Sequence, residues 1–233
     1  MGILNPLDIQ TSIRKEEVHN PKTTLVCIEN THNRAGGTIW TPNNIKSISK
    51  IVEDNCLKLY MDGARIFNAS VALKKDVRKF TRYVDNMMFC LSKGLSCPIG
   101  SLVVGNKEFI KKALKMRKIL GGGMRQAGII AAPGIVALEK MVNRLKEDHE
   151  NAKLLYESIK DISNLVIEEP ETNILFLGLQ NLSITQMKLA EELAKENIMV
   201  YGGYGVRTRM VTNRMVHRDD IDHVATVLRR LLK

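Results

Sequence analysis

The chain has 233 residues, 44% of them hydrophobic, which is enough for a sizeable core, and no segment is depleted enough in apolar residues to be disordered. Its formal net charge of +10 suits acidic partners, yet the basic residues are mixed with Asp and Glu over many helical faces. The densest basic patch, Asn106–Lys118, has no interleaved exposed aromatic residues and no nucleic-acid motif spacing, so nucleic acid is not an expected partner.

Thr23–Glu29 reads as a buried strand. Thr41 as N-cap and Pro42 at the first helical position open a helix that runs to Asn55. Leu57–Met61 is the next strand, Asp76–Val84 a short capped helix, and Asn86–Ser92 and Ser101–Gly105 two further strands. A helix over Lys107–Leu120 stops at Gly121–Gly123, and a long helical region spans Gln126–Lys160 with an interruption near Pro133-Gly134. Helices alternating with continuous apolar strands predict an α/β layer with a mostly parallel sheet, assigned to residues 1–145. Residues 146–233 hold the rest of the connecting helix and a small α+β domain. Its strands are Asn173–Leu179 and Val206–Thr212, and its first helix is Ser183–Asn197. A closing helix runs from Asp219 to Lys233, with Ile221, Val224, Val227, Leu228, Leu231 and Leu232 on one face.

Cys27, Cys56, Cys90 and Cys97 form no Cys-x-x-Cys pair, and no histidine pattern completes a zinc site, so no metal is expected. Such cysteines point to a reducing, cytoplasmic setting. The longest apolar run, Ile129–Leu138, is too short to cross a membrane and contains Pro and Gly, so no membrane partner is expected.

Ligands of parallel α/β sheets bind at the carboxyl ends of the strands. Glu29, Asn30, Thr31, His32 and Asn33 follow the first strand, Asp62 and Arg65 the second, Ser92 and Lys93 the third. Each has an ordinary structural reading: Lys93 in a solvated turn, His32 in a loop, Asp62 capping its turn through the Ala64 or Arg65 amide. The ends of three strands of one sheet bring them together, and that favours a site. No serine–histidine–acid arrangement is present, and Gly121–Gly123 is not a G-x-G-x-x-G loop. A lysine amine takes a carbonyl compound, and a carboxylate at a strand end partners a pyridinium nitrogen. Lysine, aspartate and arginine around one pocket therefore suggest pyridoxal phosphate.

The segments IENTHNRAGG (28–37), MDGARIFNA (61–69), CLSKGLSCPIGS (90–101) and KILGGGMRQAG (118–128) resemble the low-specificity L-threonine aldolases. These are pyridoxal-phosphate lyases of the aspartate-aminotransferase-like fold, fold type I. The resemblance implies a cofactor-binding large domain over residues 1–145 and a small domain over 146–233. By motif, Lys93 is the lysine that links covalently to the cofactor, and Asp62 partners the ring nitrogen. Arg65 is expected near the ring oxygen and the substrate carboxylate, with Arg209 as the second carboxylate clamp. His32 resembles a histidine beside the substrate's β-hydroxyl. Lys118 and Arg125 resemble residues that approach a neighbouring subunit's site, since family members are homotetramers.

The implied reaction is retro-aldol cleavage of a small β-hydroxy amino acid, L-threonine or L-allo-threonine, to glycine and acetaldehyde. The resemblance also implies a region before Met1 that supplies the phosphate loop, a stacking histidine and a serine for the substrate carboxylate. Without it the large-domain sheet is expected to be incomplete and partner-dependent. The alternative is then a non-catalytic homologue that acts as an interaction partner or weak cofactor binder. Asn213 and Tyr60 stand where the family often has histidine.

Overall fold

The computed structural model describes residues 2–204 and 207–232. The chain divides into two units, Met1–His32 with Ile39–Asn143, and Asn33–Thr38 with Arg144–Lys233.

In the first unit, α1 (Pro6–Ser12) starts on Asn5, whose side chain accepts the Leu7 N–H at 2.9 Å. β1 (Leu25–Glu29) and α2 (Pro42–Asp54) follow. The start of α2 is a reciprocal cap. Thr41 Oγ1 accepts the Asn44 N–H at 3.2 Å, and the Asn44 side chain accepts the Thr41 N–H at 3.2 Å. Ile45, Ile48 and Val52 form the buried face of α2, which packs on β2 (Lys58–Asp62). α3 (Ile66–Ala72), α4 (Arg78–Thr81), β3 (Asn86–Cys90), β4 (Ser101–Gly105) and α5 (Lys107–Ile119) continue the chain.

The strand order is β1-β2-β3-β4. β1, β2 and β3 are parallel, as expected, and β4 runs antiparallel to β3. On one face Ile28, Leu59, Met61, Met87 and Phe89 are buried and form the core with α2. Each such side chain contributes about 1.5–3 kcal/mol when removed from water. The alternate residues Cys27, Tyr60 and Met88 are exposed or half-buried. All five residues of β4 are exposed, and α5 buries none of its side chains.

The long helical region is not interrupted where proline predicts. Pro133 lies inside α6 (Gly128–Val136), and the break follows as a π turn over Ala137–Met141. Proline removes one ladder bond, and regular spacing returns only in α7 (Leu145–Ile159) of the second unit.

In the second unit, β5 (Val166–Ile167), β6 (Ile174–Gly178), α8 (Gln186–Lys195), β7 (Tyr201–Tyr204), β8 (Arg207–Val211) and α9 (Arg218–Leu231) succeed α7. Among the described residues the sheet is antiparallel, in the order β5-β6-β8-β7. Val206 and Lys233, the expected ends of a strand and of the last helix, lie outside the described residues. The core joins Leu155 and Ile159 of α7, Leu175 and Leu177 of β6, Leu189 and Leu193 of α8, and Ile221 and Leu228 of α9. Asp219 and Asp220 open α9 and Arg229 and Arg230 close it, as the helix dipole favours.

Residues 33–38 join this unit through Gly37. Its carbonyl accepts the Thr172 hydroxyl at 3.1 Å, and a Cβ at Gly37 would collide with Thr172 Oγ1. Among the described residues no helix is long and apolar enough to cross a membrane.

Candidate functional site

Glu29 and Asp62 are the last residues of β1 and β2, and they are paired in register. Their side chains therefore leave the same face of the sheet. Both are half-buried. Asp62 Oδ1 accepts the Ala64 N–H at 3.0 Å, which is the turn-capping role its position suggests. The chain can turn here because Gly63 has no side chain. Its N–H donates to the Met88 carbonyl at 2.9 Å, and a Cβ would lie 2.8 Å from that oxygen and 2.6 Å from Met87 Cε. Arg65, half-buried, stands at the start of α3, and its carbonyl accepts the Asn68 N–H.

His32 is placed by its neighbours in the loop after β1. The buried Asn30 donates from its backbone N–H to the Asp62 carbonyl at 2.8 Å and from Nδ2 to the Trp40 carbonyl at 3.0 Å. Asn30 Oδ1 accepts the Trp40 N–H at 3.2 Å. This lock, between residues ten apart, has no signal in the residue spacing. Beyond it, His32 Nε2 lies 3.8 Å from Glu29 Oε2. His32 Nδ1 is buried and has no hydrogen-bond partner among the described residues.

Glu29, His32, Tyr60, Asp62 and Trp40 line a cavity of about 620 Å³, with Gly2–Leu4 along another side. That volume lies within the range of small-molecule sites. Burial, and then the Asp62 carboxylate, push the Tyr60 phenol above its ordinary value. Arg65 and Lys93 are not among the lining residues.

Lys93 is exposed on the loop that joins β3 to β4. The loop is closed on itself. Leu91 and Ser92 N–H both donate to the Gly100 carbonyl, at 3.0 and 3.3 Å. Cys97 N–H donates to the Leu91 carbonyl at 3.0 Å, and Ser96 N–H to the Lys93 carbonyl at 2.9 Å.

The remaining candidates are dispersed. Lys118, in the last turn of α5, and Arg125 are exposed residues of the first unit. Gly121 between them has φ +82° and ends α5, where the Gly122 N–H donates to the Arg117 carbonyl at 2.8 Å. Arg209 belongs to β8 of the second unit, where its guanidinium donates to the Asn33 side chain. Asn213, near the start of α9, accepts the Met215 N–H at 2.9 Å through its side chain. Among the described residues no group of three or more His, Cys, Asp or Glu side chains is placed to hold a metal ion.

A family model described as beta-eliminating lyase matches residues 1–181. The chain is 36% identical to low-specificity L-threonine aldolase 1 of Arabidopsis thaliana over 99% of its own length, and it spans 66% of that relative. Its fold superposes on a threonine aldolase of Leishmania major with a TM-score of 0.79 at 20% identity, over 100% of this chain and 68% of that one. It superposes on a mutant aspartate aminotransferase of Thermus thermophilus with a TM-score of 0.71 at 12% identity, over 98% of this chain and 64% of that one. These two likenesses show the fold, which is that of the aspartate-aminotransferase-like enzymes.

Proposed function

We propose, for this chain, which belongs to the beta-eliminating lyase family, a part in pyridoxal-phosphate-dependent cleavage of L-threonine or L-allo-threonine to glycine and acetaldehyde. The relative at 36% identity bears the name of that activity. The observation that carries the reading is Asp62: a half-buried carboxylate at the end of a central parallel strand, braced by the Ala64 N–H and facing a cavity shared with His32. A carboxylate so held suits a pyridinium N–H, which it keeps protonated by charge. When bound, the cofactor supplies an electron sink for the breaking Cα–Cβ bond.

The chain's own residues then have separate tasks. Lys93 presents an amine on a self-bonded loop at the end of the strand next to β2, where it would hold the cofactor's aldehyde. His32 takes or returns the proton of the substrate's β-hydroxyl, with the Glu29 carboxylate 3.8 Å from its Nε2. Arg65 and Arg209 are assigned to the substrate carboxylate, which a guanidinium fork meets with two parallel hydrogen bonds.

Lys118 and Arg125 are assigned to the site of a neighbouring copy in a homotetramer. The exposed Met116, Ile119 and Leu120 on one side of α5 and its end support that assignment, because an apolar strip of this kind calls for a partner. Exposed free thiols at Cys27 and Cys56 suit a reducing cytoplasm.

The test is direct. Pyridoxal 5'-phosphate is added to the purified chain and to Lys93→Ala, and both are scanned for the yellow absorbance of a lysine-bound cofactor. Threonine is then supplied and glycine is measured. Colour in the parent and none in the variant is the expected result. An absence of colour in both sinks the reading.

A further inference from the structure

We propose that Gly134 is a positioning residue for Lys93 and acts through Leu91. This rests on the reading that Lys93 carries the covalent chemistry. Gly134 is the buried residue of α6, while Ile129, Ile135 and Val136 of the same helix are exposed. The helix therefore meets the rest of its unit at a residue without a side chain. A Cβ at Gly134 would lie 3.0 Å from Leu91 Cδ1 and 3.8 Å from Cδ2. Leu91 is only 5% exposed, and a Cβ at Gly100 would come within 3.6 Å of the same Cδ1. The leucine side chain is thus flanked by two glycines.

Leu91 is also the root of the lysine loop. Its N–H donates to the Gly100 carbonyl and its carbonyl accepts the Cys97 N–H, and the Lys93 carbonyl is tied to Ser96 within that ring. A shift of Leu91 is carried into the bonds that set the direction of Lys93. Glycine inside a helix costs about 0.5–1 kcal/mol relative to alanine. An alanine would strengthen the helix, and the close approach to Leu91 is what a glycine at this point preserves.

The experiment compares Gly134→Ala and Gly134→Val, each alone and combined with Leu91→Ala, using two readouts. The first is amide hydrogen exchange at Leu91, Ser92 and Cys97 without cofactor. The second is pyridoxal 5'-phosphate followed by borohydride, with the trapped adduct at Lys93 quantified against the exposed Lys146 by peptide mass. Gly134→Val is expected to speed exchange of the loop amides by about tenfold and to lower trapping at Lys93 by about tenfold. Trapping at Lys146 stays the same, and Gly134→Ala shows a smaller effect of the same sign. Leu91→Ala, which removes the clash, restores both readouts.

Unchanged exchange and trapping in both glycine variants overturn the proposal, as does a loss that Leu91→Ala fails to recover. If valine unfolds the chain, the alanine pair decides. Parent protein that traps nothing at Lys93 sinks the cofactor reading instead. Amide exchange then still decides whether Gly134 sets the loop.

Discussion

Glu29 Oε2 lies 3.8 Å from His32 Nε2, and the two residues line one cavity with Asp62. Both side chains are about one-third exposed, at 33% and 31%, so the pair adds little to stability. Glu29→Gln is expected to cost less than about 1 kcal/mol in urea unfolding. Its effect falls on the reaction instead: kcat for threonine cleavage drops about tenfold with KM little changed, because the imidazole loses the carboxylate that stands beside it in the cavity. A change confined to KM contradicts that role.

Asp62→Asn keeps an oxygen that can accept the Ala64 N–H, so the turn survives and the melting temperature stays close to that of the parent. The negative charge that would hold a pyridinium proton is gone. Activity is expected to fall at least about a hundredfold, equivalent to ~2.7 kcal/mol in the barrier, in assays with saturating pyridoxal 5'-phosphate. Full activity in this variant removes Asp62 from the chemistry.

Gly63→Ala places a methyl 2.8 Å from the Met88 carbonyl, which is backbone of the neighbouring strand and cannot swing aside. Overpacking of this kind costs about 1–3 kcal/mol. Thermal unfolding should show that loss even without cofactor, and an unaltered midpoint would mean that β2 and β3 separate more easily than their register implies.

His149 on α7 gives the second unit a pH dependence. Burial lowers its pKa from the ordinary 6.5 to about 4. The folded state then prefers the neutral ring, and the unfolded chain takes up a proton first as pH falls. Stability from this group is fully present above pH 6.5, declines on acidification and levels off below about pH 4. Asp148 beside it works in the opposite sense, since burial raises its carboxyl despite the Arg144 ion pair at 2.6 Å. The readout is therefore a difference: urea midpoints of the parent and His149→Gln across pH 7 to 4 should converge toward acid. Parallel curves would show that the ring is not buried in solution.

How far the site could be read from residue order depends on the range of the interaction involved. The Asp62 and Lys93 candidates follow from strand ends and from the chemistry of the side chains. The α2 start was legible because a cap is local: Thr41, Pro42 and Asn44 act within one turn. The Asn30–Trp40 lock and the Gly134–Leu91 approach join residues that only the folded chain brings together, and glycine by itself carries no sign of what it lies against. The short α1 and α3 were also missed, since seven residues give too few turns for a helical period to stand out. The general rule for proline places a break at Pro133, whereas the structure places a π turn over Ala137–Met141, which no residue type in that stretch marks in the sequence.

The six-residue excursion at 33–38 has a practical consequence for anyone dissecting the molecule. The backbone passes from one unit to the other after residues 32, 38 and 143, so no single cut releases either unit whole. A piece beginning at Arg144 would keep β6 and β8 but lose the Gly37 carbonyl that receives Thr172 and the Asn33 side chain that receives Arg209. Recombinant halves would have to carry the excursion as a grafted peptide, or be expressed together, before the properties of either could be attributed to the parent.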